Sequence, residues 1–173
     1  MTKSLRTLLI SLIGVSALFL VPAASAASPT KVGTYKDWKV YTHDIGGDTI
    51  CFALAKPKSQ SPKSVNHGDV FFMVASWKSG VATQQPSLMA GYDLRSRPEP
   101  TVRIGGSDKW KMFVSQTEGF IEQASAEKRL VSSMRRGSNM RVTAVSQRGT
   151  QTNYTFSLLG ISAALERASK ACK

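Results

Sequence analysis

Residues 139–173 read NMRVTAVSQRGTQTNYTFSLLGISAALERASKACK, and the way this stretch folds decides the architecture. NMRVTAVSQ (139–147) and TNYTFSLL (152–159) each alternate apolar and polar residues, and RGTQ between them carries the glycine of a tight turn, so the two segments read as one hairpin. The period then lengthens. Ile161, Leu165, Ala168 and Cys172 lie at offsets of 0, 4, 7 and 11, which at about 100° per residue places them within roughly 60° of one another. The chain therefore ends on an amphipathic helix that lays one stripe on a sheet and carries a thiol at its far end.

The only other cysteine is Cys51, inside DTICFALA (48–55), a strand-like segment in which Ile50 and Phe52 flank it. In an oxidising compartment Cys51 and Cys172 form a disulfide, tying the terminal helix to an early strand; the alternative is two buried, unreactive thiols. Upstream, YKDWKVYTHD (35–44) places Trp38, Val40 and Thr42 on one strand face, and Gly46-Gly47 reverses the chain into the cysteine strand. Residues 56–68, with two prolines and three lysines, read as an exposed loop. DVFFMVASW (69–77) is apolar almost throughout, as a strand covered on both sides would be, and SLMAGYDL, TVRI and KWKMFVS follow as strand-length pieces between prolines and glycines. Trp38, Trp77 and Trp110 each fall in a predicted strand, where core packing is the default. SAEKRLVSSMRRG (125–137) changes period, with Ala126, Leu130, Val131 and Met134 on one helical face, Ser125 placed to cap the start and Gly137 the end. The predicted fold is mainly β: a single antiparallel β-sandwich-like domain with two short helices, the second C-terminal and packed on the sheet.

The first residues have a different logic. Lys3 and Arg6 precede an apolar run from Leu8 to Val21, followed by Ala24-Ser25-Ala26, the three parts of a secretory signal peptide cleaved after Ala26. The run is shorter than the ~20 residues needed to cross a bilayer, so no transmembrane segment is expected after cleavage. The expected organisation is a signal peptide over 1–26, a flexible leader over 27–34 and one β domain over 35–173. Cleavage removes two of the 23 basic residues and none of the 11 acidic ones, so the formal charge falls from +12 to +10. Such an excess attracts polyanions and anionic membrane surfaces.

Three pieces together resemble a known family. YKDWKVY is similar to an aromatic-x-Asp-Trp-x-Val opening, TICFAL supplies a cysteine strand about a dozen residues later, and RLVSSMRRGSNMRVTAVSQRGTQTNYTFSLLGISAAL (129–165) follows a helix, turn, Val-rich strand and SLxGfxxAl order. This resembles the invasion-associated locus B family of exported proteins from Gram-negative bacteria, over Tyr35 to Leu165. The resemblance implies an antiparallel β-sandwich-like domain in the periplasm or on the outer surface, associated in some members with host-cell invasion, and it implies no catalytic residues. Many members carry a further cysteine pair in the region matching Phe113 to Ile121; this chain has none there.

Enzymatic constellations are thin, so the chain reads as non-catalytic, with no cofactor and no metal expected. The histidines are His43 and His67; His43, Asp44 and Asp48 are close in sequence, but an Asp-Gly hairpin tip is expected for turn geometry alone. There is no G-x-S-x-G elbow for a cryptic hydrolase, and Gly105-Gly106-Ser107 lacks the Gly-Lys-Ser/Thr of a phosphate-binding loop. The sharper candidates are basic: Lys128, Arg129, Arg135 and Arg136 on and beside the first helix, Arg95, Arg97 and Arg103 around a proline-rich turn, and Arg141 and Arg148 on the following strand and turn. Converging, they would hold anionic envelope lipid, lipopolysaccharide phosphates, anionic glycans or an acidic protein. Nucleic acid is not expected, because aromatic residues do not interleave with the arginines. A rival reading is an envelope-maintenance or assembly factor that works through protein contacts.

Overall fold

A computed structural model describes residues 28–106 and 108–173; the expected signal peptide lies outside the described residues. In chain order the elements are β1 (Thr30–Tyr35), β2 (Trp38–Ile45), β3 (Asp48–Ala55), β4 (Ser59–Ser61), β5 (Phe71–Trp77), β6 (Gln85–Met89), β7 (Thr101–Ile104), β8 (Asp108–Lys111), β9 (Phe113–Ser115), β10 (Glu118–Phe120), α1 (Ala124–Arg136), β11 (Asn139–Val145), β12 (Gln151–Ser157) and α2 (Ile161–Ala171). They form two antiparallel sheets, β1-β2-β3-β5-β6-β10-β9 and β4-β12-β11-β7-β8. The mainly β prediction with a C-terminal helix on the sheet is what the structure shows.

Alternation dictates the layers. Phe72, Val74 and Leu88 point inward from the seven-stranded sheet and meet Val102, Val142, Tyr154 and Phe156 from the five-stranded one in one continuous core. Both helices close that core, α1 with Leu130, Val131 and Met134, α2 with Ile161, Ala164, Leu165 and Ala168. Fully buried Trp38 donates its indole N–H to the Ser157 carbonyl at 3.0 Å, joining the start of β2 to the end of β12. Gly160, at φ 92°, starts α2 where a Cβ would lie 2.0 Å from the Tyr35 carbonyl oxygen, so only glycine lets the helix begin this close to β1. At the other end of α2, Cys172 is bonded to Cys51 of β3, with Cα atoms 5.7 Å apart.

The structure differs from the sequence reading in five places. Residues 30–34 of the leader assigned to 27–34 belong to β1, an edge strand that ends at Tyr35 and pairs with β2 through a register shift between Lys31 and Gly33. The loop assigned to 56–68 contains β4, three exposed residues that pair with β12. KWKMFVS is two strands in different sheets: Met112, buried and donating its N–H to the Pro100 carbonyl at 2.9 Å, is where the chain crosses between them. Ser125 does not cap α1, which starts one residue earlier with Gln123 at the cap position. Finally, β5 is not sandwiched on both sides. Its outer residues Met73, Ala75 and Trp77 join only Tyr41, Ile50, Phe52 and Leu54, a second apolar cluster confined to β2, β3 and β5.

Candidate functional site

Register brings chemistry together on the open face of the five-stranded sheet. Arg141 of β11 lies directly opposite Arg103 of β7, and Arg103 directly opposite Lys109 of β8. On the other side Arg141 faces Thr155 of β12, which faces Ser59 of β4. One cross-strand row therefore reads Ser59–Thr155–Arg141–Arg103–Lys109, with all three cations exposed. At about 4.8 Å between strands the charged part of the row spans roughly 10 Å. Like charges directly opposite one another are destabilising, and none of the three has a carboxylate partner among the described residues. The parallel row Asn153–Thr143–Thr101–Lys111 is uncharged except at Lys111, whose ammonium is held by Glu99 at 2.9 Å. That hydrogen bond, more than the ion pair's field, holds the Glu99 carboxyl below its ordinary range.

The row continues onto α1. Lys109, Arg129 and Arg136 line one cleft of 430 Å³ with Asp108 and Trp110, and Asp108 accepts a hydrogen bond from Ser133 at 3.1 Å. The nine basic residues singled out by sequence thus divide. Arg103 and Arg141 form the row, and Arg129 and Arg136 border it across Lys109. Lys128 is exposed on α1 but does not line that cleft. Arg135 turns toward α2, its Nη1 3.5 Å from the Ser162 carbonyl. Arg95 donates to the Gln147 carbonyl at 3.0 Å, and Arg148 lies beside it at the β11–β12 turn. Arg97 acts on Glu99. Lys109 was missed, although TVRI and DKWK around Gly105-Gly106 read as a hairpin would have set it opposite Arg103.

A second polar site lies at the β11–β12 turn, where a 620 Å³ cleft is lined by His67, Tyr92, Asp93, Arg148 and Thr152 among others. Its floor is a chain of short contacts. His67, 2 % exposed, has Nε2 2.8 Å from the Pro62 carbonyl and Nδ1 2.9 Å from the Tyr154 hydroxyl. That hydroxyl is 2.8 Å from Tyr92 Oη, which is 2.6 Å from Thr152 Oγ1. Burial, reinforced by Tyr92, pushes the Tyr154 phenol well above its ordinary value. Sequence placed His67 in a polar loop; the distant tyrosines that bury it gave no local signal.

The hairpin tip carries its acids as turn chemistry. Asp48 accepts from the Thr49 N–H at 2.7 Å and from Ser79, and Asp44 accepts from the Thr49 hydroxyl at 2.6 Å. No three His, Cys, Asp or Glu side chains converge as a metal site among the described residues.

The model of the invasion associated locus B (IalB) protein family matches residues 38–169, from the buried Trp38 to the last turns of α2. The chain belongs to the IalB family. No curated protein and no solved structure matches it. The matched span takes in Cys51 but ends before Cys172, and it includes both strands of the Arg103–Arg141 pair, so the cationic row sits within the family domain. Among the described residues no helix is long and apolar enough to cross a membrane.

Proposed function

We propose that this IalB-family chain is an exported, non-catalytic binding module that holds an anionic partner, a phosphate- or carboxylate-bearing glycan or an acidic protein, on the open face of its five-stranded sheet. One observation carries the reading: Lys109, Arg103 and Arg141 stand side by side, exposed, and none of the three is in a salt bridge among the described residues. Guanidinium groups on neighbouring strands present paired donors that match phosphate and carboxylate oxygens. Arg129 and Arg136 widen the same field from α1. Export is supported by the N-terminal sequence and by the Cys51–Cys172 bond, which persists in oxidising compartments.

Retention on immobilised heparin, used as a generic polyanion, tests this. Wild-type protein elutes at a salt concentration that the Arg103→Ser/Arg141→Ser variant does not reach, and the slope of log K against log salt falls by about one unit or more. An Arg95→Ser/Arg148→Ser control, removing equal charge at the far turn, stays near wild type. Equal losses in the two variants would mean that net charge, not the row, does the binding.

A further inference from the structure

The outer face of the seven-stranded sheet is the chemical opposite of the cationic face. Three aligned rows cross it: His43–Ile50–Trp77, Lys31–Tyr41–Phe52–Ala75–Gln85 and Lys39–Leu54–Met73–Ser87–Phe120–Phe113. A fourth holds Phe71, Met89 and Glu118. Tyr41 stacks on Phe52 and Phe113 on Phe120, with ring centroids 5.5 Å apart in each pair. Ile45 at the hairpin tip and Phe113 at the far strand are 45 % and 46 % exposed; between them Ile50 and Phe52 are buried beneath half-buried Tyr41, Leu54, Met73 and Trp77. The cluster beneath Tyr41, Leu54, Met73 and Trp77 contains no residue from either helix or from the other sheet. A contiguous apolar patch on the surface of a monomer is often functional.

We infer that this face docks on a lipid bilayer surface bearing anionic headgroups. Charge complementarity selects the occupant. Lys31 and Lys39 flank the apolar rows at the β1–β2 margin, both exposed, while the carboxylates of this face lie at its other borders, Asp48 at the hairpin tip opposite Ile45 and bonded to Ser79, and Glu118 in the fourth row. Lys56 lies over the Phe71 ring, 5.1 Å from its centroid, and is shared with Asp69. Lysines with their stems along an apolar surface extend their ammonium groups to the headgroup level, while aromatic and aliphatic side chains enter the acyl boundary. Trp77 and Tyr41 pair an apolar body with a polar tip, the type that settles at that boundary. The 430 and 620 Å³ clefts lie on other parts of the molecule, so this face offers breadth rather than a socket for an anchoring side chain. Docked this way, the cationic row of the other sheet points away from the bilayer.

Trp77 makes the inference directly testable, because Trp38 and Trp110 are 0 % and 9 % exposed in the core and Trp77 lies on the face itself. The exported chain is mixed with vesicles of phosphatidylcholine, with or without phosphatidylglycerol, carrying brominated acyl chains. The expected result is binding to the anionic vesicles with quenching that disappears in Trp77→Phe. Leu54→Glu/Met73→Glu weakens binding at least tenfold. Lys31→Glu/Lys39→Glu, exposed and unable to disturb the core, weakens it severalfold, whereas Arg103→Ser/Arg141→Ser leaves quenching in place. Absence of Trp77 quenching overturns the inference. So does vesicle binding lost only in the arginine variant, which would assign the lipid to the other face. A dimer in light scattering that Met73→Glu dissolves, without vesicle binding, would assign the apolar face to a second copy. Heparin retention is scored separately, so either reading can fail alone.

Discussion

Breaking the Cys51–Cys172 bond is the perturbation whose size follows most directly from the structure. The bond joins residues 121 apart, and a loop of that length removes about 5 kcal/mol of chain entropy from the unfolded state at 25 °C, as an upper value. Against a total of about 5–15 kcal/mol for a domain of this kind, that is a third or more of the stability. The folded state itself changes little, since Ile161, Ala164, Leu165 and Ala168 still hold α2 in the core. The loss is expected in the unfolded ensemble, which becomes free to expand. Guanidinium unfolding followed by tryptophan fluorescence measures both consequences. Reduction, or the Cys51→Ala/Cys172→Ala variant, lowers the midpoint by about 1 M if the slope is near 4 kcal/mol per molar, and it steepens the slope because an open chain exposes more surface. A midpoint and slope that both stay at their oxidised values would refute the assignment of the bond as a long-loop staple.

Arg103→Ser/Arg141→Ser removes a like-charge neighbour pair and relieves the contact with Lys109, so it raises stability by about 0.5–1 kcal/mol at low salt while heparin retention falls; calorimetry at two salt concentrations shows the gain shrinking as salt rises. Tyr154→Phe leaves His67 Nδ1 and the Tyr92 hydroxyl each one partner short and costs about 1–3 kcal/mol in denaturant titration. Because burial raises the Tyr154 phenol, its contribution is complete below pH ~10 and declines as the pH climbs through the folded value, so the variant flattens the alkaline limb of the stability curve. Asp37 shifts the opposite way. Its hydrogen bond from Lys58, then one from Ser157, holds the carboxyl below its ordinary range, so its contribution is present above pH ~4 and is lost as the pH falls through the depressed value. Thermal scans from about pH 6 down to about pH 2 should show a shallower acid limb for Asp37→Asn.

Whatever period and turn chemistry control was legible in the sequence. The β11–β12 hairpin, the β2–β3 hairpin over Gly46-Gly47 and the apolar stripe of α2 all rest on local patterns, and the pairing of Cys51 with Cys172 followed because they are the two cysteines of a chain read as exported and Cys172 falls on that stripe. What escaped depends on partners remote in sequence. β1 and β4 have no apolar alternation of their own; β2 and β12 recruit them as edges. The sheet change at Met112 is set by the Pro100 carbonyl, and His67 is buried by Tyr154, 87 residues away. The candidate site was half legible. Charge named Arg103 and Arg141 but not their adjacency, since cross-strand neighbours are fixed by register and a shift of one residue would send both into the core.

The two outer faces carry the functional argument because the core does not account for them. Packing the sandwich requires Val102, Val142, Tyr154 and Phe72 to point inward; it requires nothing of Arg103, Arg141, Met73 or Trp77. An ordinary solvated sheet would intersperse its charges and keep its outer face polar. This chain does neither: it sets three cations in one row on one sheet and packs aromatic residues beside lysines on the other. Both choices act against the isolated monomer, one by repulsion and the other by exposed apolar area, and both would be relieved by the partners proposed above. They also respond differently to ionic strength. Polyanion binding through the arginine row should weaken steeply with salt, whereas a docked apolar face loses only the share contributed by Lys31, Lys39 and Lys56. A vesicle isotherm and a heparin isotherm with the same salt dependence would therefore show that one face, not two, is at work.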